Sequence, residues 1–251
     1  MRPLQTDLSG FGRIDFEKPA VGVKFQFFKP QDIDPLPMDR NLAFCEMLAE
    51  AQVADAPFYF SKEHNETCVG KILLGMADME PFAEAGEIGP RLGIMQEARV
   101  NRNFYPHVPR FAKGTVNYVV FAPISKLTFE PDVLIITATP KQAEIVMRAM
   151  SYSTGVPYTS KTTMVMGCSW VYIYPFETGR VNYLMPEMIH GMTGRELFAP
   201  NTVLVSIPYQ WLQTVAQNLK EIEMVFHETK KKYLAEFEEI IVDLVRTSKE
   251  P

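Results

Sequence analysis

The chain carries three cysteines, Cys45, Cys68 and Cys168, and a thiol is a side chain that binds soft metals, takes part in redox chemistry or acts as a nucleophile. Cys68 stands in Glu66-Thr67-Cys68-Val69-Gly70-Lys71-Ile72-Leu73-Leu74-Gly75-Met76, where a polar segment, 61–66, gives way to an apolar one. That change marks a helix start, whose unpaired N–H groups favour the thiolate. No two of the cysteines have the C-x-x-C spacing that identifies a zinc ribbon or ferredoxin cluster by itself. Three thiolates that meet only in space still suffice for a [4Fe–4S] cluster with one iron open to water, substrate or another ligand. The competing reading is three buried, inert thiols, since free cysteine is among the most buried residue types.

Other candidates are fewer. His190, in Ile189-His190-Gly191-Met192, is a candidate fourth ligand, with a plain surface histidine as the alternative; His64, His107 and His227 are scattered. Arg195, after Gly194, is a candidate clamp for an anionic substrate, or a surface ion pair. Met164, Met166, Met185, Met188 and Met192 surround Cys168 in sequence, to line an apolar cofactor pocket or simply to fill a core. The chain has no G-x-G-x-x-G, P-loop, G-x-S-x-G or H-E-x-x-H motif, so no reaction follows from a fingerprint and enzymatic activity is left open.

The elements that must position these residues are legible in part. Residues 20–27 alternate as a strand, and Pro30, Pro35 and Pro37 then interrupt regular structure. From about 39, Leu42, Cys45, Leu48 and Ala49 recur at helical spacing, which turns Cys45 inward. Phe58-Tyr59-Phe60 reads as a short strand, and 77–93 as a surface loop. Residues 116–123 and 132–138 are β-branched and aromatic runs typical of buried strands. Thr139-Pro140 opens a helix through 152, and Gly155 follows it. Residues 164–175 fit either a strand or a buried helix, while 203–207 is a last strand. Strands mixed with helices and irregular connections predict an α+β domain, its sheet mixed or antiparallel with flanking helices, over 1–208.

A separate C-terminal part is predicted for 209–251. Leu212, Val215, Leu219, Ile222, Phe226, Thr229 and Tyr233 form a stripe that Phe237, Ile240 and Leu244 continue after one break in register. No glycine or proline occurs between Tyr209 and Glu250. One unbroken helix would reach about 57 Å, too long for a compact domain to cover; the alternative is a helical hairpin turning near Lys230-Lys231-Lys232. Either form points to a homo-oligomer or a protein partner assembled through 209–251.

Composition bounds the function class. The 251 residues are 47% hydrophobic and 22% charged, which is ordinary globular usage, with a formal net charge of -5. That balance, without a basic stripe, argues against nucleic acid or an anionic membrane as the main partner. The first twenty residues lack an apolar signal core, and no later run is long and apolar enough to span a bilayer. Three cysteines are too few, and odd in number, for a disulfide framework, so a cytoplasmic protein with reduced thiols is expected.

Several segments taken together carry a resemblance. Val21-Gly22-Val23-Lys24-Phe25, Cys45-Glu46-Met47-Leu48 with Glu50-Ala51, and Cys68-Val69-Gly70 with Leu74-Gly75 come first. Tyr118-Val119-Val120-Phe121-Ala122-Pro123, Phe129-Glu130-Pro131-Asp132-Val133, Cys168 with Pro175 and Thr178-Gly179, Gly194-Arg195 with Phe198, and Ser206-Ile207-Pro208-Tyr209 follow in order. Over about 20–221 the chain resembles the family catalogued as domain of unknown function 169. The resemblance implies a continuous fold and marks all three cysteine positions, which strengthens the iron–sulfur expectation, but it implies no reaction. Val69 departs from it, standing where proline or another small residue is usual, and the tail beyond Glu221 resembles an extension.

Two function classes therefore follow from the sequence. One is an iron–sulfur protein with Cys45, Cys68 and Cys168 as ligands, acting as a redox accessory or a Lewis-acid enzyme. The other is a cofactor-free binding or scaffold subunit that assembles through its C-terminal helix.

Overall fold

Seven strands form one sheet in the computed structural model, which describes residues 1–222 and 230–247. They are β1 (Val21–Gln26), β2 (Asp34–Pro35), β3 (Phe58–Ser61), β4 (Tyr118–Pro123), β5 (Val133–Ala138), β6 (Asn182–Leu184) and β7 (Val203–Pro208), in the order β2-β3-β4-β1-β5-β7-β6. All neighbours run antiparallel except β2 and β3. With flanking helices this is a mixed-sheet α+β fold. The chain divides into two compact units, Met1–Glu221 and Ile222–Pro251.

Within the first unit β4, β5 and β7 read as nearly continuous apolar runs because both faces are covered. Val23, Phe25, Val119, Phe121, Val133 and Ile135 join a core with helix Phe44–Val53 and with Trp170, Tyr172 and Tyr174. Their alternating neighbours Val120, Ala122, Leu134 and Ile136 are buried as well. Helices Pro140–Tyr152 and Tyr209–Glu221 pack on each other and touch β5 and β7.

Local chemistry accounts for most boundaries. Thr139 caps helix Pro140–Tyr152 by accepting the Gln142 N–H, and Gln142 returns an acceptor to the Thr139 N–H at 2.8 Å. Helix Phe44–Val53 begins later than the apolar spacing from residue 39 predicts; the Glu46 carboxylate accepts the Ala43 N–H at 2.5 Å and fixes the start there. The ambiguous stretch 164–175 becomes helical from Gly167, with a π-helical turn over Ser169–Ile173, and ends at Gly179 in the left-handed region, φ 64°. Two strands went unread in the sequence: β2 spans two residues, and β6 three.

Helix Tyr209–Glu221 lies within the first unit, its Leu212, Val215 and Leu219 side chains fully buried, and the Asn218 side chain donates to the Ala149 carbonyl at 2.7 Å. In the second unit, Lys230–Thr247 is a helix of 18 residues. Phe226, Thr229 and His227, and the links of the stripe that run through them, lie outside the described residues. Among the described residues no helix is long and apolar enough to cross a membrane.

Candidate functional site

Three helix beginnings meet on one side of the sheet, and each brings a cysteine. Cys45 is the second residue of helix Phe44–Val53 and is buried. Cys68 precedes the short helix Gly70–Leu73 by two residues, and Cys168 lies in the first turn of the helix that starts at Gly167; both are half-buried. The Tyr172 hydroxyl donates to the Phe44 carbonyl at 2.8 Å, tying the Cys168 helix to the Cys45 helix. Gly70 permits the third approach: a Cβ there would lie 2.1 Å from the Phe44 ring and 2.9 Å from the Glu66 carboxyl. A side chain at 70 would push the Cys68 segment off the Cys45 helix.

All three cysteines line a single cavity of about 250 Å³, together with His190 and Arg195. The sequence candidates are thus gathered in one place, although residues far apart in the chain supply them. None of the cysteines is in a disulfide.

Their environments are unequal. The Cys68 sulfur interacts directly with the Cys168 thiol, and the N–H groups of Phe44 and Gly70 and the Glu66 carboxyl also bond to it. These donors outweigh burial and hold Cys68 below the usual thiol range, at about 6. Cys168 is pushed well above that range, first because it donates to Cys68 and then by burial. Burial pushes Cys45 up to about 11, against the pull of the Arg195 guanidinium. The donors therefore favour the thiolate at Cys68, while Cys168 and Cys45 are held as thiols.

Glu66 deepens the asymmetry. Burial, and then the Cys68 charge, push its carboxyl up to about 9, so it is protonated at neutral pH. Its Oε2 lies 3.4 Å from the Cys68 sulfur and Oε1 accepts the Lys71 N–H at 2.7 Å. The Cys68 sulfur and Glu66 Oε2 share this hydrogen bond, and the two groups compete for its proton.

Arg195, expected as an anion clamp, has its donors engaged. One nitrogen donates to the Gly191 carbonyl at 2.6 Å, another to the Thr67 carbonyl at 3.0 Å, and Nε lies 3.7 Å from Glu46. It latches the Cys68 segment to the loop after His190. His190 is exposed at the cavity, and its backbone N–H donates to the Met164 carbonyl at 2.8 Å. Gly167 leaves room for Met192 and Ile189, since a Cβ there would meet Met192 Cε at 2.7 Å; the space is filled by side chains rather than left for a cofactor. Met166, just before it, takes a left-handed backbone, φ 59°, unusual for methionine and placed where the chain turns into the Cys168 helix.

Sequence reasoning missed Glu66 and the wall contributed by 77–108. Glu66 was visible two residues before Cys68, but its burial was not. The presumed surface loop, 77–93, contains the short helices Pro81–Glu84 and Ile88–Arg91, and Ala98–Phe104 follows it; this run brings Ile88, Leu92, Ile94, Asn101 and Tyr105 to the cavity. Ile88 and Leu92, four apart, were the available signal.

Buried polar residues elsewhere serve the framework. His64 stands against Ser61, with Nδ1 accepting the Ser61 N–H at 3.0 Å and Nε2 facing the Leu36 carbonyl at 2.6 Å. The backbone donor fixes the neutral tautomer with hydrogen on Nε2, which staples two segments together.

The chain belongs to the family described as Uncharacterised ArCR, domain of unknown function 169, whose model matches residues 13–218. It is also similar to an uncharacterized protein of Methanocaldococcus jannaschii, 21% identical over 218 residues that cover 84% of this chain and 90% of that protein. No solved structure matches it at a significant level.

Proposed function

We propose that this protein binds an iron–sulfur cluster through Cys45, Cys68 and Cys168, with one iron left for a non-cysteine ligand. The observation that carries this reading is the convergence of all three cysteines, from three separate segments, on one cavity. The donor set fits: thiolates are the ligands such clusters take, and N–H groups from Phe44 and Gly70 already point at one sulfur, as hydrogen bonds to cluster sulfurs do. Among the described residues no group of three or more His, Cys, Asp or Glu side chains is arranged for a metal ion. The ligands of a cluster are spread around several irons, so the Cys68–Cys168 contact must open to admit one. A cluster would supply electron transfer or a Lewis-acidic iron. The chain's own residues supply the rest: Glu66 holds a proton at Oε2 beside Cys68, Arg195 latches the walls, and His190 stands ready at the exposed edge.

The unbonded thiols support a reducing, cytoplasmic setting. Exposed Phe237, Ile240 and Val242 on helix Lys230–Thr247 support assembly with a second copy or a protein partner through the C-terminal part of 209–251. Anaerobic reconstitution with iron and sulfide tests the cofactor: brown protein absorbing near about 400 nm is expected. Colourless protein that retains no iron would leave the cofactor-free scaffold as the better account.

A second reading has its own observation, the direct interaction of the Cys68 and Cys168 side chains in the one cavity. A thiolate paired with a thiol is the arrangement of a dithiol redox couple.

A further inference from the structure

Part of the cavity wall belongs to neither the cysteines nor their helices. Ile88, Leu92 and Ile94 provide it from the run of short helices after Pro81, and Val69, Leu73 and Ile189 extend the apolar surface toward the thiols. Asn101, Tyr105 and Arg195 beside them are held in hydrogen bonds of their own, and His190 stands at the exposed edge. Asn101 gives its amide hydrogens to the Gly86 carbonyl at 3.0 Å and the Tyr105 oxygen at 3.0 Å, and Tyr105 donates to the Ala83 carbonyl at 2.5 Å. Arg195 is spent on Thr67, Gly191 and Glu46. What faces the space is therefore chiefly hydrocarbon and sulfur.

We propose that this cavity binds a small, uncharged, mainly apolar organic molecule, seated on Ile88, Leu92 and Ile94 next to the cysteines. A charged group seated on Ile88, Leu92 and Ile94 would lose hydration against hydrocarbon. Volume sets the size. An apolar cavity of about 150 Å³ takes benzene, so about 250 Å³ takes a molecule of about ten non-hydrogen atoms. A cluster on the same cysteines would occupy part of that space, which makes this the upper limit. Leu92 is 56% exposed and also lines the cavity, which places it where a ligand enters. The inference rests on the reading of the cysteine cavity as the functional site, and not on the metal.

The test uses full-length, reduced, iron-free protein with indole as probe, followed by ligand-observed saturation-transfer NMR. Pyrene, which exceeds the volume, and indole-3-carboxylate, which adds a charge, are the comparison probes. Saturable binding of indole is expected, with both comparison probes much weaker. Leu92→Asp should weaken indole about tenfold or more by placing an unpaired carboxylate on the wall, whereas Leu92→Met should bind as the parent does. Val100→Asp, exposed and outside the cavity lining, should change nothing. Thermal melts confirm that all three variants fold. Indole that fails to bind, binds Leu92→Asp as tightly as the parent, or binds no better than its carboxylate would overturn the proposal. Iron loading is measured separately on the same proteins: indole binding without iron loading sinks only the cluster reading, and iron loading without indole binding sinks only this one.

Discussion

Cys68 is the thiol that the surrounding donors act upon most strongly, and its chemistry should show it. Lowering its pKa from 9.0 to about 6 raises the thiolate fraction at every pH between those values. In iron-free protein, alkylation by iodoacetamide at neutral pH should fall on Cys68 first, with a half-maximal rate near about 6, while Cys45, raised to about 11, stays unreactive through that range. Mass spectrometry after timed quenching reads this directly. Cys168→Ala removes the main donor and should move the Cys68 midpoint upward; an unchanged midpoint would mean that the Cys168 contact does not stabilise the thiolate. The identities of the three cysteines were plain in the sequence. Their inequality was not, because it comes from the Cys168 thiol, the Phe44 N–H and the Glu66 carboxyl, brought in by packing rather than by spacing.

At the scale of elements, the site depends on how closely short segments approach one another. Gly70→Ala would force its new methyl against the Phe44 ring, 2.1 Å away, and should destabilise the protein by about 1–3 kcal/mol, measured by urea denaturation. Gly12→Ala meets nothing within 4 Å and should stay within about 0.5 kcal/mol of the parent. Tyr172→Phe deletes the hydrogen bond between the Cys168 and Cys45 helices and should cost about 1 kcal/mol. The strand from Val21 was legible by alternation, and those from Tyr118, Val133 and Val203 because burial on both faces leaves apolar runs that few other elements produce. Residues 164–175 were not, since a buried helix and a buried strand are both apolar throughout. The helical excursion after Met76 was hidden for the opposite reason: its turns are only four to seven residues long, and Gly86, Gly89 and Gly93 mask them as loop.

For the whole molecule, the compact unit Met1–Glu221 contains the sheet and the whole cysteine cavity. A chain ended after Glu223 should therefore keep the thermal transition of the sheet domain and its iron loading. Analytical ultracentrifugation of full-length and shortened chains tests assembly through the C-terminal helix, and the shortened chain should sediment as a smaller species. A full-length chain that remains monomeric at high concentration would remove that proposal. The apolar stripe from Leu212 to Leu219 was readable in sequence, but periodicity alone did not reveal that it is consumed by the chain's own core.

Cys45, Cys68 and Cys168 are proposed to act together as ligands, and Mössbauer spectroscopy of protein reconstituted anaerobically with iron-57 distinguishes a cluster on all three from any other bound iron. Three thiolates and one other ligand should give a cluster in which one iron site differs from the remaining three, and Cys45→Ala, Cys68→Ala and Cys168→Ala should each lower its occupancy. Iron bound only as unclustered ion, or a cluster whose occupancy is indifferent to one of the three substitutions, would contradict it.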